Sequence, residues 1–316
     1  MSATLSKDVL YAWDLIKLQS GEVLTLYGNF NGPLYRARLS FYPSVEGTRL
    51  IGGKLYKKAK YETGCLISGC KKLLDLPGEQ HFLVHKSQIA EIYRPSDAFD
   101  GLSRESLDQC RSFIGLLNKS CNVGTDQHGL TGSRALRSAL PMSDFDWVIY
   151  RRDPADVKTC IDSNRSFTRD LTFAMTHVYR KYSVFGGLGQ RGLDALFEDR
   201  WKYFRFNGAL HISLSFVDPM QRADNFLRPT QIGEYVIVEA TVRDSVGCYH
   251  SPRIIELNRG EKKYKVLTWL FLYNGAFKNG NIVEVAGRIF KADNEEYILV
   301  ESPQDYIRNL TTKGGG

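Results

Sequence analysis

The six cysteines, Cys65, Cys70, Cys110, Cys121, Cys160 and Cys248, form no C-x-x-C pair, and no Cys/His cluster has zinc spacing. That excludes a structural zinc site as the organising element. Cys65 and Cys70 sit five apart in an apolar, Gly-rich stretch and read as reduced, partly buried thiols. A reducing cytoplasm is the simplest compartment for them. No stretch approaches the apolar length of a membrane span, so no membrane partner is expected. Met1–Gly21 carries Lys7, Asp8, Asp14 and Lys17 among its apolar residues and lacks the core of a signal peptide. No repeat recurs at solenoid periods. With 43% hydrophobic and 24% charged residues, nothing suggests global disorder.

What is present is a chain of 316 residues, long enough for two or three domains and a sizeable core. Its formal net charge is +7 and its pI about 9.0. A mild basic excess favours anionic partners such as nucleic acid or nucleotides. The same charge spread over this length also fits an ordinary soluble surface.

The N-terminal third shows β patterning. Val23–Phe30 and Leu34–Tyr42 read as a hairpin about Asn31-Gly32-Pro33. In its second strand Tyr35, Ala37, Leu39 and Phe41 take one face and Leu34, Arg36, Arg38 and Ser40 the other, as in a half-buried strand. Leu50–Lys58 reads as one strand bent at Gly52-Gly53, and His81–His85 as another. Trp13–Leu18 looks like one face of a short helix. Arg94-Pro95-Ser96-Asp97 marks a turn or helix start, and residues 1–101 are expected to form an accessory α/β region. The Lys54, Lys57, Lys58 and Lys60 cluster, with Arg36 and Arg38, reads as a solvated basic face, with a second basic patch as the alternative.

Residues 102–222 alternate helix and strand. Arg104–Cys121 has helical apolar spacing. His128–Leu130 and Asp144–Tyr150 read as strands joined by a tight excursion. Asp153-Pro154 opens a helix to Ile161, in the N-cap and N1 roles. Leu171–Tyr182 and Leu193–Trp201 read as helices, Gly186-Gly187-Leu188-Gly189 as a break, and Lys202–Phe206 and Leu210–Val217 as extended. After Pro219 the pattern is nearly pure β: Glu234–Arg243, Tyr264–Phe271, Ile282–Phe290 and Glu296–Glu301, with Asp293-Asn294 in the last turn. Residues 230–309 are therefore expected to form a small OB-like β-barrel, and 310–316 a flexible tail. The expected class is α+β.

The chemistry concentrates in Gly129–Tyr150, GLTGSRALRSALPMSDFDWVIY. Asp144 and Asp146, two apart at the start of a strand, point the same way. Two adjacent carboxylates repel unless a cation lies between them, and Mg²⁺ (or Mn²⁺) is held by one or two carboxylates plus phosphate oxygens. Phe145, Trp147 and Ile149 would anchor the strand from its other face. Gly132-Ser133, eleven residues before Asp144, would open a short helix whose N–H groups and hydroxyl suit the terminal phosphates of a nucleotide. Arg134 or Arg137 would add charge. Taken singly, a Gly-Ser turn, an Asp-x-Asp and two arginines are commonplace; the functional reading rests on their conjunction.

This conjunction resembles the signature of the DNA polymerase beta-like nucleotidyltransferase superfamily, a Gly-Ser motif followed by Asp-x-Asp on the next strand. The likeness covers about 22 residues. The chain also resembles the predicted nucleotidyltransferases best known from archaea, through Tyr93-Arg94-Pro95, Val238-Glu239-Ala240-Thr241-Val242 and Val285-Ala286-Gly287-Arg288. The resemblance implies a central polymerase beta-like α/β domain that moves a nucleoside monophosphate from an NTP to a hydroxyl, with Mg²⁺ or Mn²⁺ on Asp144 and Asp146. It also implies a third carboxylate on a later strand. The strand expected to carry it, Leu210–Val217, has His211, Ser213 and Ser215 but no acid; Asp218 lies at its end, and Glu198 and Asp199 lie earlier in an expected helix. His211 is a candidate substitute base, though a lone strand His is more often a packed or surface residue.

In the barrel, Tyr249, Lys262, Lys263 and Lys265 are candidate nucleic-acid contacts, while Trp269 and Phe271 would share a strand face in the core. Two functions follow as expectations. The first is transfer to a nucleic-acid end, with a protein side chain or small molecule as other acceptors. The alternative is a catalytically degenerate fold that binds nucleic acid or a protein partner.

Overall fold

The computed structural model describes residues 6, 8–59, 62–140, 143–151, 153–169, 188–198, 202–227, 231–292 and 294–311. It is mixed α+β with more strand than helix, and includes a half-barrel and a five-stranded barrel. The chain divides into two compact units: Met1–Asp170 with Trp201–Asp224, and Leu171–Arg200 with Asn225–Gly316. The boundary read at Gly101 falls inside the first. The helix read over Leu171–Tyr182, Gly186-Gly187, Asp199 and the Lys313–Gly316 tail lie outside the described residues.

The first unit opens with an eight-stranded sheet. Its strands are β1 (Leu15–Leu18), β2 (Val23–Leu26), β3 (Leu34–Pro43), β4 (Arg49–Ile51), β5 (Lys54–Lys58), β6 (Lys71–Leu76), β7 (Glu79–His85) and β8 (Ile89–Tyr93). The order is β4-β5-β3-β2-β1-β8, with β7 also on β3 and β6 on β7. β3 is the hub: its first half pairs with β7 and its last residues with β5.

Three expectations are corrected here. Trp13–Leu18 contributes β1 rather than a helix. Leu15 and Ile16 are both fully buried, so four residues buried on both faces show neither a 3.6 nor a 2 period. Leu50–Lys58 is two strands, because Gly52 (φ +54°) and Gly53 (φ +78°) form the two-residue turn of a hairpin. Residues 1–101 contain no α-helix among the described residues; only short 3-10 turns, Lys86–Gln88 and Pro95–Gly101, interrupt the strands.

A second sheet follows, ordered β11-β12-β13-β10-β9. It is built from β9 (His128–Leu130), β10 (Phe145–Tyr150), β11 (Phe167–Arg169), β12 (Tyr203–Phe206) and β13 (Leu210–Val217). β10 and β13 run parallel; the other pairs are antiparallel. α1 (Arg104–Cys121) precedes these strands, and α2 (Gly132–Ala135) and α3 (Ala155–Ser163) lie between them. Pro154 takes the N-cap of α3 rather than N1, and Asp153 Oδ1 accepts from Ala155 N–H at 2.8 Å.

Register separates the faces of this sheet. Phe145, Trp147 and Ile149 lie level with Ile212, Leu214 and Phe216. α1 covers that face through Phe113, whose ring sits 4.7 Å from Trp147 and close to Phe167, Phe204 and Phe206. Burying each such aromatic contributes roughly 1.5–3 kcal/mol. The opposite face carries Asp146, Ser213 and Ser215.

In the second unit, α4 (Gly189–Glu198) precedes β14 (Gln231–Asp244), β15 (Arg253–Arg259), β16 (Lys262–Thr268), β17 (Ile282–Ala292), β18 (Glu295–Leu299) and β19 (Tyr306–Asn309). The order β14-β15-β16-β18-β17 closes because β17 pairs back onto β14, which makes a barrel of five strands, with β19 added outside the ring on β17. Among the described residues β16 and β18 pair parallel, and the other barrel pairs are antiparallel. Asn294 (φ +64°) turns the chain between β17 and β18. β16 stops at Thr268 and Phe271–Tyr273 forms a 3-10 turn. Trp269 and Phe271 therefore do not share a strand face, although Trp269 is core as expected.

Candidate functional site

β10 carries Asp146 up on the polar face of the second sheet, and Asp144 stands one residue ahead of the strand. Three contacts fix Asp146. Ser213 Oγ donates to its Oδ1 at 2.9 Å, and its main-chain oxygen accepts from Thr131 N–H at 2.9 Å. The third is a close approach by Gly132, where a Cβ would lie 2.4 Å from Oδ2; the φ of +68° there also favours glycine. The Gly-Ser turn and the second aspartate of the Asp-x-Asp are thus in direct contact. Burial, and then the charge of Asp144, raise the Asp146 carboxyl to about 6; Lys58, the Ser213 hydroxyl and Arg38 oppose the rise.

The excursion between Thr131 and Ser143 is held tightly. Ser138 N–H donates to Ser133 O at 2.8 Å, and the Ser138 hydroxyl to the same oxygen at 3.3 Å. Ser133 is buried. Arg134 Nη2 donates to Ser143 O at 2.7 Å and Nε to Asp144 O at 3.2 Å, while its guanidinium stacks 3.4 Å from the Phe145 ring centre. Arg134 therefore serves the loop in front of Asp144. Arg137 is exposed, in a left-handed conformation (φ +52°), with its side chain against Gly101. A cavity of about 640 Å³, lined by Gln109, Arg134, Arg137, Ser143, Phe145 and His211 among others, opens beside this loop.

Across the parallel pair, Asp146 lies level with Ser213. The strand on which a third acid was expected is the parallel neighbour of β10, and a serine stands there in register with Asp146. His211, two residues earlier, shares the face of Ser213 and is half-buried. Asp218 follows the end of β13, where its Oδ1 accepts from Met220 N–H at 2.9 Å in the next turn. Glu198 belongs to α4 in the other unit. Among the described residues, no group of three or more His, Cys, Asp or Glu is arranged to hold a metal ion.

No family model, curated protein or solved structure matches this chain.

Three basic residues of the N-terminal sheet were read as part of a solvated face or passed over. Arg38 and Lys58 both act electrostatically on Asp146. Arg49 Nη1 donates to Ser138 O at 3.2 Å and to Ser143 Oγ at 3.4 Å. The density of cations between residues 36 and 60 was the available signal. Arg36 also departs from the expected polar face of a half-buried strand: it is buried, with Nε donating to His81 Nδ1 at 3.1 Å. His81 Nε2 in turn lies 2.9 Å from Glu79 Oε2. β3 is covered on both sides, so alternation there does not mark a solvent face.

In the barrel, Lys262 and Lys263 are exposed, with the Lys262 ammonium 4.9 Å from the Tyr264 ring centre. Lys265 is engaged by both oxygens of Glu295 at 2.6 Å. Tyr249, expected at a surface, is only 8% exposed. Gly275 packs so closely that a Cβ there would lie 2.7 Å from its ring, so Tyr249 is not placed to stack a base.

Proposed function

We propose that the protein is a metal-dependent nucleotidyltransferase that moves a nucleoside monophosphate from an NTP to a hydroxyl acceptor. The observation that carries this reading is the contact between Gly132 and the Asp146 carboxyl, which unites the two halves of the motif at one point. Asp144 and Asp146 are the residues that would hold Mg²⁺ or Mn²⁺. Their donor chemistry fits, since both are hard oxygen ligands, and a cation would relieve the repulsion and burial that raise Asp146. Two carboxylates plus phosphate oxygens suffice for one ion; a second would need the acid that Ser213 replaces. A bound ion supplies charge neutralisation at the α-phosphate.

The protein groups do the rest. The turn at Gly132-Ser133 offers backbone N–H groups to the terminal phosphates. The acceptor oxygen bonds to the α-phosphorus as the bond to pyrophosphate breaks, and pyrophosphate leaves. His211, on the face shared by Ser213 and Asp146, takes the hydroxyl proton. We read the second unit as an OB-like barrel, and its exposed Lys262 and Lys263 favour a nucleic-acid end as the acceptor.

Ser213 opposite Asp146 supports a second reading, in which a degenerate site binds nucleotide without transfer and the protein acts as a nucleic-acid- or protein-binding module. Transfer of labelled α-phosphate from each NTP to RNA, single-stranded DNA or the protein itself separates the two. Label with wild type, absent from Asp144→Asn/Asp146→Asn, establishes the enzyme. No label from folded protein that still binds nucleic acid establishes the module.

A further inference from the structure

The cavity of about 640 Å³ beside the Thr131–Ser143 excursion lies wholly within the first unit. Its lining comes from the start of α1, the loop that leads into Asp144, and the start of β13. Arg137 joins the first two: its side chain packs against Gly101 so closely that a Cβ there would lie 2.4 Å from Nε. Ser143, next in the chain to Asp144, is part of the wall. A molecule seated here therefore lies against the segment that carries the aspartate pair.

Part of the lining is a flat, fixed guanidinium. Arg134 is held in its plane by the carbonyls of Ser143 and Asp144, at 2.7 and 3.2 Å, and lies 3.4 Å from the Phe145 ring centre. Phe145 is only 3% exposed, so its ring backs the guanidinium and leaves the outer face of Arg134 to the cavity. A planar cation fixed in this way is a stacking platform for a heteroaromatic ring. Leu140, 47% exposed, adds apolar surface to the same cavity. On the α1 wall Glu105 and Gln109 are four apart, so they share a helix face with Cβ atoms about 5–6 Å apart. Among the described residues neither side chain makes a hydrogen bond or ion pair.

An ionised carboxylate only accepts hydrogen bonds, while an amide both donates and accepts. Of the four bases only guanine sets two N–H donors side by side, next to a carbonyl acceptor. We propose that this cavity is a nucleobase subsite and that it selects guanine. The ring stacks on Arg134, Glu105 accepts from N1–H and the 2-amino group, and the Gln109 amide donates to O6. The inference rests on the nucleotide reading of Asp144 and Asp146 and names the nucleotide, GTP.

The test is binding of GTP, ITP, ATP, CTP and UTP in Mg²⁺ by the full chain, by calorimetry, with inorganic tripolyphosphate as the probe that has no base. GTP should bind tightest, and ITP, which lacks the 2-amino group, roughly 10-fold more weakly. Glu105→Gln should weaken GTP by a similar factor and close the gap to ITP. Gln109→Ala should weaken GTP and ITP together, and neither variant should alter the affinity for tripolyphosphate. Glu105 is exposed and Gln109 half-buried on the helix surface, so both variants should fold. NTPs bound without preference for guanine, a preference that both variants keep, or a loss that extends to tripolyphosphate overturns this inference and leaves the nucleotide reading standing. Wild type that binds no NTP overturns both.

Discussion

Gly132 carries two separate demands. Its φ of +68° is costly for any residue with a side chain, and a Cβ would meet the Asp146 carboxyl at 2.4 Å. Gly132→Ala should therefore cost about 2 kcal/mol or more in denaturant unfolding, and push the turn off Asp146. Retention of full stability would mean that the turn relaxes freely. Asp146 makes a pH-dependent prediction. Its folded pKa of about 6 lies above its ordinary 3.8, so the folded state binds the proton more tightly. The resulting penalty is absent below about pH 4 and complete above about pH 6. Asp146→Asn should thus stabilise the metal-free protein at pH 8, by roughly 1–2 kcal/mol given its partial exposure, and give no gain at pH 4. A gain that does not depend on pH would remove charge relief as the cause.

At the scale of elements, the parallel pairing of β10 and β13 decides what kind of site this is. It sets Ser213 level with Asp146, 2.9 Å from its Oδ1. Ser213→Asp would place a third carboxylate there. The variant should be less stable than wild type without metal, because like charges crowd a half-buried face, and should gain more in melting temperature on adding Mg²⁺ or Mn²⁺. A thermal shift no larger than that of wild type would argue that this face does not collect cations. The N-terminal region acts at the same scale, since Trp13, in the turn before β1, and Arg49 of β4 brace the loop that Gly132 begins.

The chain divides into two compact units: the first contains the Gly-Ser turn and the Asp-x-Asp pair, the second a closed five-stranded barrel. If the barrel holds a nucleic-acid acceptor, the exposed Lys262 and Lys263 at the β15–β16 hairpin are its candidate contacts. Lys262→Glu with Lys263→Glu should weaken single-stranded binding and flatten the slope of log K against log salt by roughly 1.4. Lys265→Gln should do less, because Glu295 already engages that ammonium. Binding that keeps its full salt slope in the double variant would move the interface off this hairpin.

Where the local pattern is long enough, the sequence sufficed for the element: the 18-residue α1 helix announces itself by its apolar spacing and β13 by its bounds. The Gly-Ser and Asp-Phe-Asp pieces are visible as residue types, but that Gly132 lies against Asp146 is a tertiary fact. β1 and the β4–β5 hairpin were not legible: strands this short, one buried on both faces and the others split by a Gly-Gly turn, leave no period to count. The roles of cations were hidden for a different reason. Arg134 stacks on a ring and Arg36 lies inside the sheet, while Arg38 and Lys58 bear on an aspartate about a hundred residues away. Sequence determined which groups are available and which local elements carry them. Only tertiary structure decided which charges meet, because that depends on strand register and sheet docking, which join residues far apart in the chain.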